Sequence, residues 1–384
     1  MDNTISAYIT NVAAFMPNDP VSNDEMENIL GMVGGKPSRA KKIILKSNGI
    51  ETRYYVLDPK TRQAVYTNAE LAALAIKNLE GDSFSVDEIE CLSSGTTMPD
   101  QMNPGHAVMV HGELKNPPCE VISTAGICLA GLTSLKYAYL SVLSGDHENA
   151  VATGSEAASP HFKGEYYQGE IEEKVNNLDK RPELAFEKDF LRWMLSDGAG
   201  AVLIENTPNK GKRSLKIEWI DIYSYANEIE TCMYTGAQKQ EDGSLVGWRE
   251  FSNQEWYSDN IMAIKQDVKL LNENIVDYCI EKTINKVIAK RGLKPEDIDY
   301  FLPHISSEYF RSKILEKLEE MNYPIPEEKW FTNLNSKGNT GSASIYIILD
   351  ELFNSGKLKA GERLLCFVPE SGRFSSGYML LTVV

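Results

Sequence analysis

A thiol and a carboxamide stand at matching places in two parts of this chain. Cys128 opens the run CLAGLTSLKYAYLSVLSG, which reaches Gly145 after 17 residues, and Asn339 opens NTGSASIYIILDELFNSG, which reaches Gly356 after the same 17. The offset is 211 residues at both ends. A cysteine at a helix start meets backbone N–H groups without intrahelical partners and the positive end of the helix dipole. That setting lowers a thiol pKa from its usual ~8.5. A partly ionised Cys128 is therefore expected, able to attack an acyl carbonyl and carry the acyl group as a thioester. His304 follows the apolar run YFLP, ahead of Asn339. Imidazole and carboxamide N–H groups there could hydrogen-bond a second carbonyl oxygen as charge develops on it.

Such residues need a scaffold that holds both halves in one geometry. Asp87-Glu88-Ile89-Glu90 and Glu296-Asp297-Ile298-Asp299 repeat an acidic lead-in to an apolar strand at an offset of 209. Two matches in nearly one register point to a duplicated fold. Strands are expected at Ile5 to Phe15, Ile89 to Ser93, Val121 to Thr124, Ala150 to Gly154, Gly200 to Glu205, Leu215 to Tyr223, Tyr300 to Pro303, Leu364 to Val368 and Tyr378 to Val383. Helices are expected at Asn68 to Leu79, from Cys128, through Asp267 to Arg291, and from Asn339. This alternation is that of an α/β protein, with a boundary near Asn206 to Lys212.

Composition narrows the function classes. With 384 residues, 42% of them hydrophobic, the chain can bury a large core. A net charge of -16 opposes nucleic acid and anionic membranes as general partners. No apolar stretch reaches the roughly 18 residues of a membrane span, and MDNTISAYITNV lacks the pattern of a signal peptide, so a cytoplasmic protein is expected. Cys91, Cys119, Cys128, Cys232, Cys279 and Cys366 form no CxxC pairs, which indicates neither a zinc site nor a disulfide framework. No metal, nucleotide or flavin motif is visible, so no cofactor is expected. The polar, aromatic segment from Glu228 to Tyr257 reads either as a substrate-binding lid or as a surface insertion.

Several motifs then occur in a specific order: ISAYITNVAAFMPNDPVSNDEM, SNGIETRYYV, TTMPDQMNPGHAVMVHGEL, LSDGAGAVLIE, IDYFLPH and SKGNTGSASI. On these residues the chain resembles the ketosynthase III group of the thiolase superfamily, the β-ketoacyl-acyl-carrier-protein synthase III-like enzymes. The resemblance implies a thiolase-like fold, two duplicated βαβαβ-type halves (1–208 and 209–384) forming a layered αβαβα core. It implies Cys128 as the acyl-accepting nucleophile, His304 and Asn339 as donors to the second thioester, and an oxyanion hole from the backbone N–H groups of Cys128 and Gly372. Acyl thioesters on acyl carrier protein or coenzyme A are the implied substrates, and a homodimer the implied assembly.

The departures from the family pattern bear on substrate. Ile43 occupies the place of a tryptophan that stacks on adenine, Ile305-Ser306-Ser307 replaces Gln-Ala-Asn, and PESGRFSSG puts Glu370 and Arg373 into a glycine-rich run. They make the chain similar to ketosynthases that form dialkylresorcinols and cyclohexanediones. That implies joining a 3-oxoacyl thioester to a second, 2-enoyl, acyl chain, with a downstream aromatase. A decarboxylating synthase that extends a primer with malonyl-carrier is the competing reading, and a non-catalytic partner subunit is a third. A degradative thiolase would need a second catalytic cysteine, and Cys366 is expected inside a strand. Lys210, Lys212, Arg213 and Lys216, or Arg311, Lys313 and Lys317, are candidate contacts for an acidic carrier.

Overall fold

The computed structural model describes residues 5–38, 40–167 and 190–384. Its main sheet is built from β1 (Tyr8–Phe15), β2 (Cys91–Thr96), β3 (Glu120–Ala125), β4 (Asn149–Glu156), β5 (Gly198–Glu205), β6 (Leu215–Ser224), β7 (Tyr300–Pro303), β8 (Arg363–Glu370) and β9 (Ser375–Val383). The strand order is β7-β8-β9-β6-β1-β5-β4-β2-β3. The seam in the middle is narrow, since β1 meets β6 only through Tyr8 opposite Lys216 and Ile9 opposite Leu215.

Outward from that seam the two half-sheets repeat one pattern. The steps β1-β5, β5-β4 and β4-β2 are antiparallel, antiparallel and parallel, and so are β6-β9, β9-β8 and β8-β7. A fifth strand, β3, runs parallel to β2. Its counterpart has shrunk to one parallel bridge between Phe301 and Trp330. The acidic lead-ins become 3-10 turns at Val86–Glu88 and Pro295–Asp297, and the strands behind them start at Cys91 and Tyr300, which keeps the 209-residue offset.

Helices fill the layers. Outer helices α1 (Asn68–Lys77) and α2 (His106–Leu114) cover the first half-sheet, while α3 (Leu129–Leu143) lies between the two. On the second half, α4 (Val268–Val276) and α5 (Thr283–Arg291) lie outside with α6 (Tyr309–Glu320), and α7 (Ser344–Asn354) joins α3 in the middle. Leu132 and Leu135 of α3, Tyr346 and Leu349 of α7, and Ile204 and Met379 from the two half-sheets share one buried cluster. Strands buried on both faces read as near-continuous small or apolar runs, and NAVATGSE of β4 is buried over seven of its eight residues. The arrangement is the five-layer αβαβα core of a thiolase-like fold.

The middle helices approach closely because small residues face them. A Cβ added at Gly131 of α3 would lie 2.0 Å from the Ser342 carbonyl oxygen, and one at Gly154 of β4 would lie 2.3 Å from the same atom. The segment just before α7 is thereby wedged into the first half. Ser342 Oγ secures it by donating to the Ser155 carbonyl at 3.0 Å.

Two expectations need correction. The helix expected through Asp267 to Arg291 is interrupted by a π turn at Asp277–Lys282. Its buried positions run Val268, Leu271, Ile275 and Cys279, then Ile280, Ile284 and Val287, so the buried face shifts by one residue at the adjacent pair Cys279–Ile280 inside the π turn. The Glu228 to Tyr257 segment is also no bare loop. Ala237–Lys239 pairs with Leu245–Gly247, Met233–Tyr234 pairs with Lys265–Gln266, and Asn253–Ser258 is helical. Among the described residues no helix is long and apolar enough to cross a membrane.

Candidate active site

Cys128 and His304 sit just beyond strand ends, and Asn339 follows a short helix at Leu334–Lys337. After β3 the chain turns through Gly126 and Ile127 to Cys128, which caps α3. His304 follows β7, and its backbone N–H donates to the Phe367 carbonyl of β8 at 2.8 Å. Asn339 does not open a helix as expected, because α7 begins five residues later, after a 3-10 turn at Gly341–Ala343. Instead it bridges to the first half: its N–H donates to Met194 O at 3.0 Å, and its carbonyl accepts from Ser196 N at 2.9 Å. The helix ends, by contrast, keep the 211-residue offset, with Gly145 and Gly356 both at positive φ.

Cys128, His304 and Asn339 line one cavity of about 720 Å³, its open mouth included. Most of its other lining is apolar, including Ile127, Met194 and Leu271. Asn339 Oδ1 accepts the Gly341 N–H at 3.0 Å, which leaves the carboxamide NH2 as the free end. His304 Nε2 is buried and meets no protein hydrogen-bond partner. Burial holds the imidazole down at about 4, against an ordinary ~6.5, so it is neutral at pH 7. Two neutral groups able to donate, in the lining of one cavity, suit a carbonyl oxygen that gains charge.

The thiol overturns a sequence expectation. Desolvation pushes the Cys128 pKa up, and the carboxyl groups of Glu370 and Glu156 push it further. These outweigh the helix terminus, so the resting sulfur is a neutral thiol rather than a partial thiolate. Glu156, at the end of β4, lines the cavity and accepts from Thr97 N at 3.0 Å and Ser342 N at 3.1 Å. Burial raises its pKa against those bonds. Glu370, at the end of β8, accepts from Ile127 N at 2.8 Å and Leu129 N at 3.1 Å.

Other expected residues are spread more widely. Gly372 packs against Ile127, and its carbonyl receives the N–H groups of Cys232 and Met233, which ties the inserted segment to the site. Met233 of that segment and Ile264 and Gln266 just after it line the cavity, and Gln266 Nε2 donates to Ser371 Oγ at 2.9 Å. Of the two readings of the segment, lid or surface insertion, the contact of Met233 with the cavity favours the first, and the part played by Ile264 and Gln266 was not legible beforehand. Glu308 is held by Arg311 in two hydrogen bonds. Cys366 is fully buried within β8. Lys212 and Arg213 cluster with Leu203 and Glu205 at the end of β5 away from the cavity, beside Lys210, and Arg213 donates to the Phe353 and Leu358 carbonyls. Their place on the opposite edge of the sheet removes them from the cavity mouth. Lys216 pairs with Glu218, and Lys317 with Asp277, Glu281 and Glu320.

Known proteins share this organisation. Residues 288–381 match the family model 3-Oxoacyl-[acyl-carrier-protein (ACP)] synthase III C terminal. The chain is 25% identical over 361 residues to a β-ketoacyl-[acyl-carrier-protein] synthase III of Clostridium perfringens, covering 94% of each. It is 24% identical over 390 residues to one of Xanthomonas campestris pv. campestris, covering 99% of each. Solved structures of the same fold include the tetronic acid condensing enzyme AbyA1, with a TM-score of 0.76 and 19% identity over 98% of this chain and 100% of that one. Another is Xanthomonas campestris OleA with bound lauric acid and lauroyl-CoA, with a TM-score of 0.71 and 18% identity over 99% of each chain. Similarity along nearly the whole length, the C-terminal family match and the five-layer core make this chain similar to the β-ketoacyl-acyl-carrier-protein synthase III condensing enzymes.

Proposed function

We propose that the enzyme takes an acyl group onto Cys128 and condenses it, in a Claisen reaction, with the α-carbon of a second acyl thioester. The observation that carries this reading is the convergence of Cys128, His304 and Asn339 on one largely apolar cavity. The thiol gives up its proton as it attacks the incoming thioester carbonyl, and the carrier thiol leaves protonated. The second substrate gives up an α-proton to water, and the oxygen of the resulting enolate is held by His304 and the Asn339 NH2. Its α-carbon attacks the Cys128 thioester carbonyl, and the carbon–sulfur bond breaks to expel the sulfur, which takes back a proton. Backbone N–H groups of Cys128 and Gly372 are assigned to the oxyanion of the acyl-Cys128 carbonyl.

We infer further that both partners are long acyl chains, a 3-oxoacyl thioester and a 2-enoyl chain, and that ring closure gives a cyclohexanedione precursor of a dialkylresorcinol. A second apolar cavity supports this, lined by Ile275, Ile280, Phe310, Ile314 and Phe367 and meeting the first at His304. The names of the synthase III relatives favour a simpler reading, in which malonyl-carrier loses carbon dioxide to extend a primer. Intact-protein mass spectrometry separates them. An acyl adduct is expected on wild type and none on Cys128→Ala. Discharge of that adduct by a 3-oxoacyl thioester supports the two-chain reading, and discharge by malonyl-carrier alone supports elongation. No adduct on either protein would sink the catalytic reading in favour of a partner subunit.

A homodimer belongs to the same proposal. The edge strand β3 is half-exposed along its length and has no strand partner on its outer side among the described residues. Of the basic candidates for carrier docking, Arg311 and Lys313 remain on the helix that follows His304, although Arg311 is already paired with Glu308 and Glu327.

A further inference from the structure

Glu370 is a departure from the glycine-rich run expected at this place, and it stands against the nucleophile. One oxygen of its carboxylate, Oε2, receives the N–H groups of Ile127 and Leu129, the residues on either side of Cys128. The space for it is tight, since a Cβ at Gly126 would lie 3.2 Å from Oε2 and one at Gly372 would lie 3.4 Å from Oε1. Two of the free donors at the start of α3 are thereby used internally, and both ends of the Cys128 peptide unit are fixed to the end of β8.

We propose that Glu370 is a positioning residue for Cys128, a clamp that fixes the nucleophile's backbone and, as an anion seated at that helix end, sets the pH range in which the sulfur reacts. The inference rests on Cys128 being the nucleophile, as argued above. A negative charge at a helix N-terminus opposes a second one nearby. The Glu370 carboxylate is the largest charge influence raising the thiol, behind desolvation; burial raises the Glu370 carboxyl as well, against the two backbone bonds it accepts, so its charge acts on the sulfur above its own titration. The other titratable groups around the sulfur are Glu156 from β4, Cys279 from the π turn and the neutral His304 after β7. Arg373 offers no counter-charge there, as its guanidinium turns away to donate to the Ile229 carbonyl at 2.8 Å. The consequence is an enzyme that keeps its thiol protonated until an acyl thioester enters, which limits stray oxidation and alkylation.

The test uses two substitutions and a reaction that needs no substrate. Glu370→Gln keeps an acceptor oxygen in place and removes the charge, whereas Glu370→Asp keeps the charge and shortens the reach. The rate of iodoacetamide alkylation of the Cys128 peptide at fixed pH, followed by mass spectrometry, reads the thiolate fraction directly. That rate is expected to rise about tenfold or more in Glu370→Gln and to stay at the wild-type value in Glu370→Asp, with acylation by an acyl thioester at least about tenfold slower in the latter. An unchanged Glu370→Gln alkylation rate in a folded protein overturns the charge role. Wild-type acylation by Glu370→Asp overturns the clamp, and that arm decides the matter if the Gln variant does not fold. Because alkylation proceeds without acyl transfer, a failure here is distinguishable from failure of the proposed reaction.

Discussion

His304 and His106 are buried imidazoles that are both held at about 4, in each case chiefly by desolvation. In the unfolded chain each binds its proton near ~6.5. The unfolded state therefore takes up protons first as pH falls. The stability each supplies is present above pH ~6.5 and is lost as pH drops through 4, about 1.4 kcal/mol per unit and about 3 kcal/mol for each over the window. Asp197, raised by burial to about 6, acts with the opposite sign, since its contribution is present below its unfolded value and lost as pH rises through 6. Glu156, Glu370 and Asp350, raised by burial, act with Asp197, and His161, lowered by burial, acts with the two imidazoles, so the prediction is set on the difference between two proteins. Between pH 7 and 4.5 the stability of His304→Gln relative to wild type, read by urea unfolding, should rise by about 2–3 kcal/mol. A slope unchanged by the substitution would show that the imidazole is not desolvated. Acylation of the wild type should show no inflection near pH 6.5, because His304 stays neutral there. At this scale the sequence identified the cavity's Cys128, His304 and Asn339, but not the direction of the thiol's shift. A helix start is visible in a run of letters. Glu370, 242 positions away, is not.

The helices that carry these residues are held by close contacts that tolerate little added volume. Gly131 of α3 lies against the backbone of Ser342, whose segment also carries Asn339. Gly131→Ala should therefore cost roughly 1–3 kcal/mol by overpacking and displace the Asn339 carboxamide as well. The expected signature is a lowered thermal midpoint together with slower condensation, while the first acyl transfer to Cys128 is less affected. Equal loss in both steps would argue that α3 itself has moved. The shared offset of 211 was a sound guide to where α3 and α7 end, because Gly145 and Gly356 both take the left-handed conformation that closes a helix. It misled at their starts. A thiol can sit at a helix cap, but Asn339 is bound on both sides of its peptide to the Met194–Ser196 segment, a contact between distant parts of the chain that no local pattern encodes. The π turn left a fainter sign, two adjacent apolar residues, Cys279 and Ile280, where the buried face shifts by one position.

The whole molecule is two copies of one topology sharing a middle layer. Because α3 and α7 bury their apolar faces against both half-sheets, a fragment of residues 1–208 would expose the face that α7 and β8 normally cover. Such a fragment should lack a cooperative thermal transition and bind a hydrophobic dye, and cooperative melting would show that the halves are independent domains. The duplicated plan was readable because its acidic turns and glycines recur in register, whereas the loss of the tenth strand was not. That loss gives the sheet an asymmetric valence. On the far side, β7 is already occupied: Phe331 N–H donates to the Phe301 carbonyl at 2.9 Å, and the Trp330 ring stands edge-on to Phe301 at 5.1 Å. Among the described residues of the main sheet, β3 alone keeps a bare edge. A sheet with two such edges behaves as a bifunctional monomer and can grow into fibres. A sheet with one is monofunctional, so edge-to-edge growth through it would stop once two copies had met.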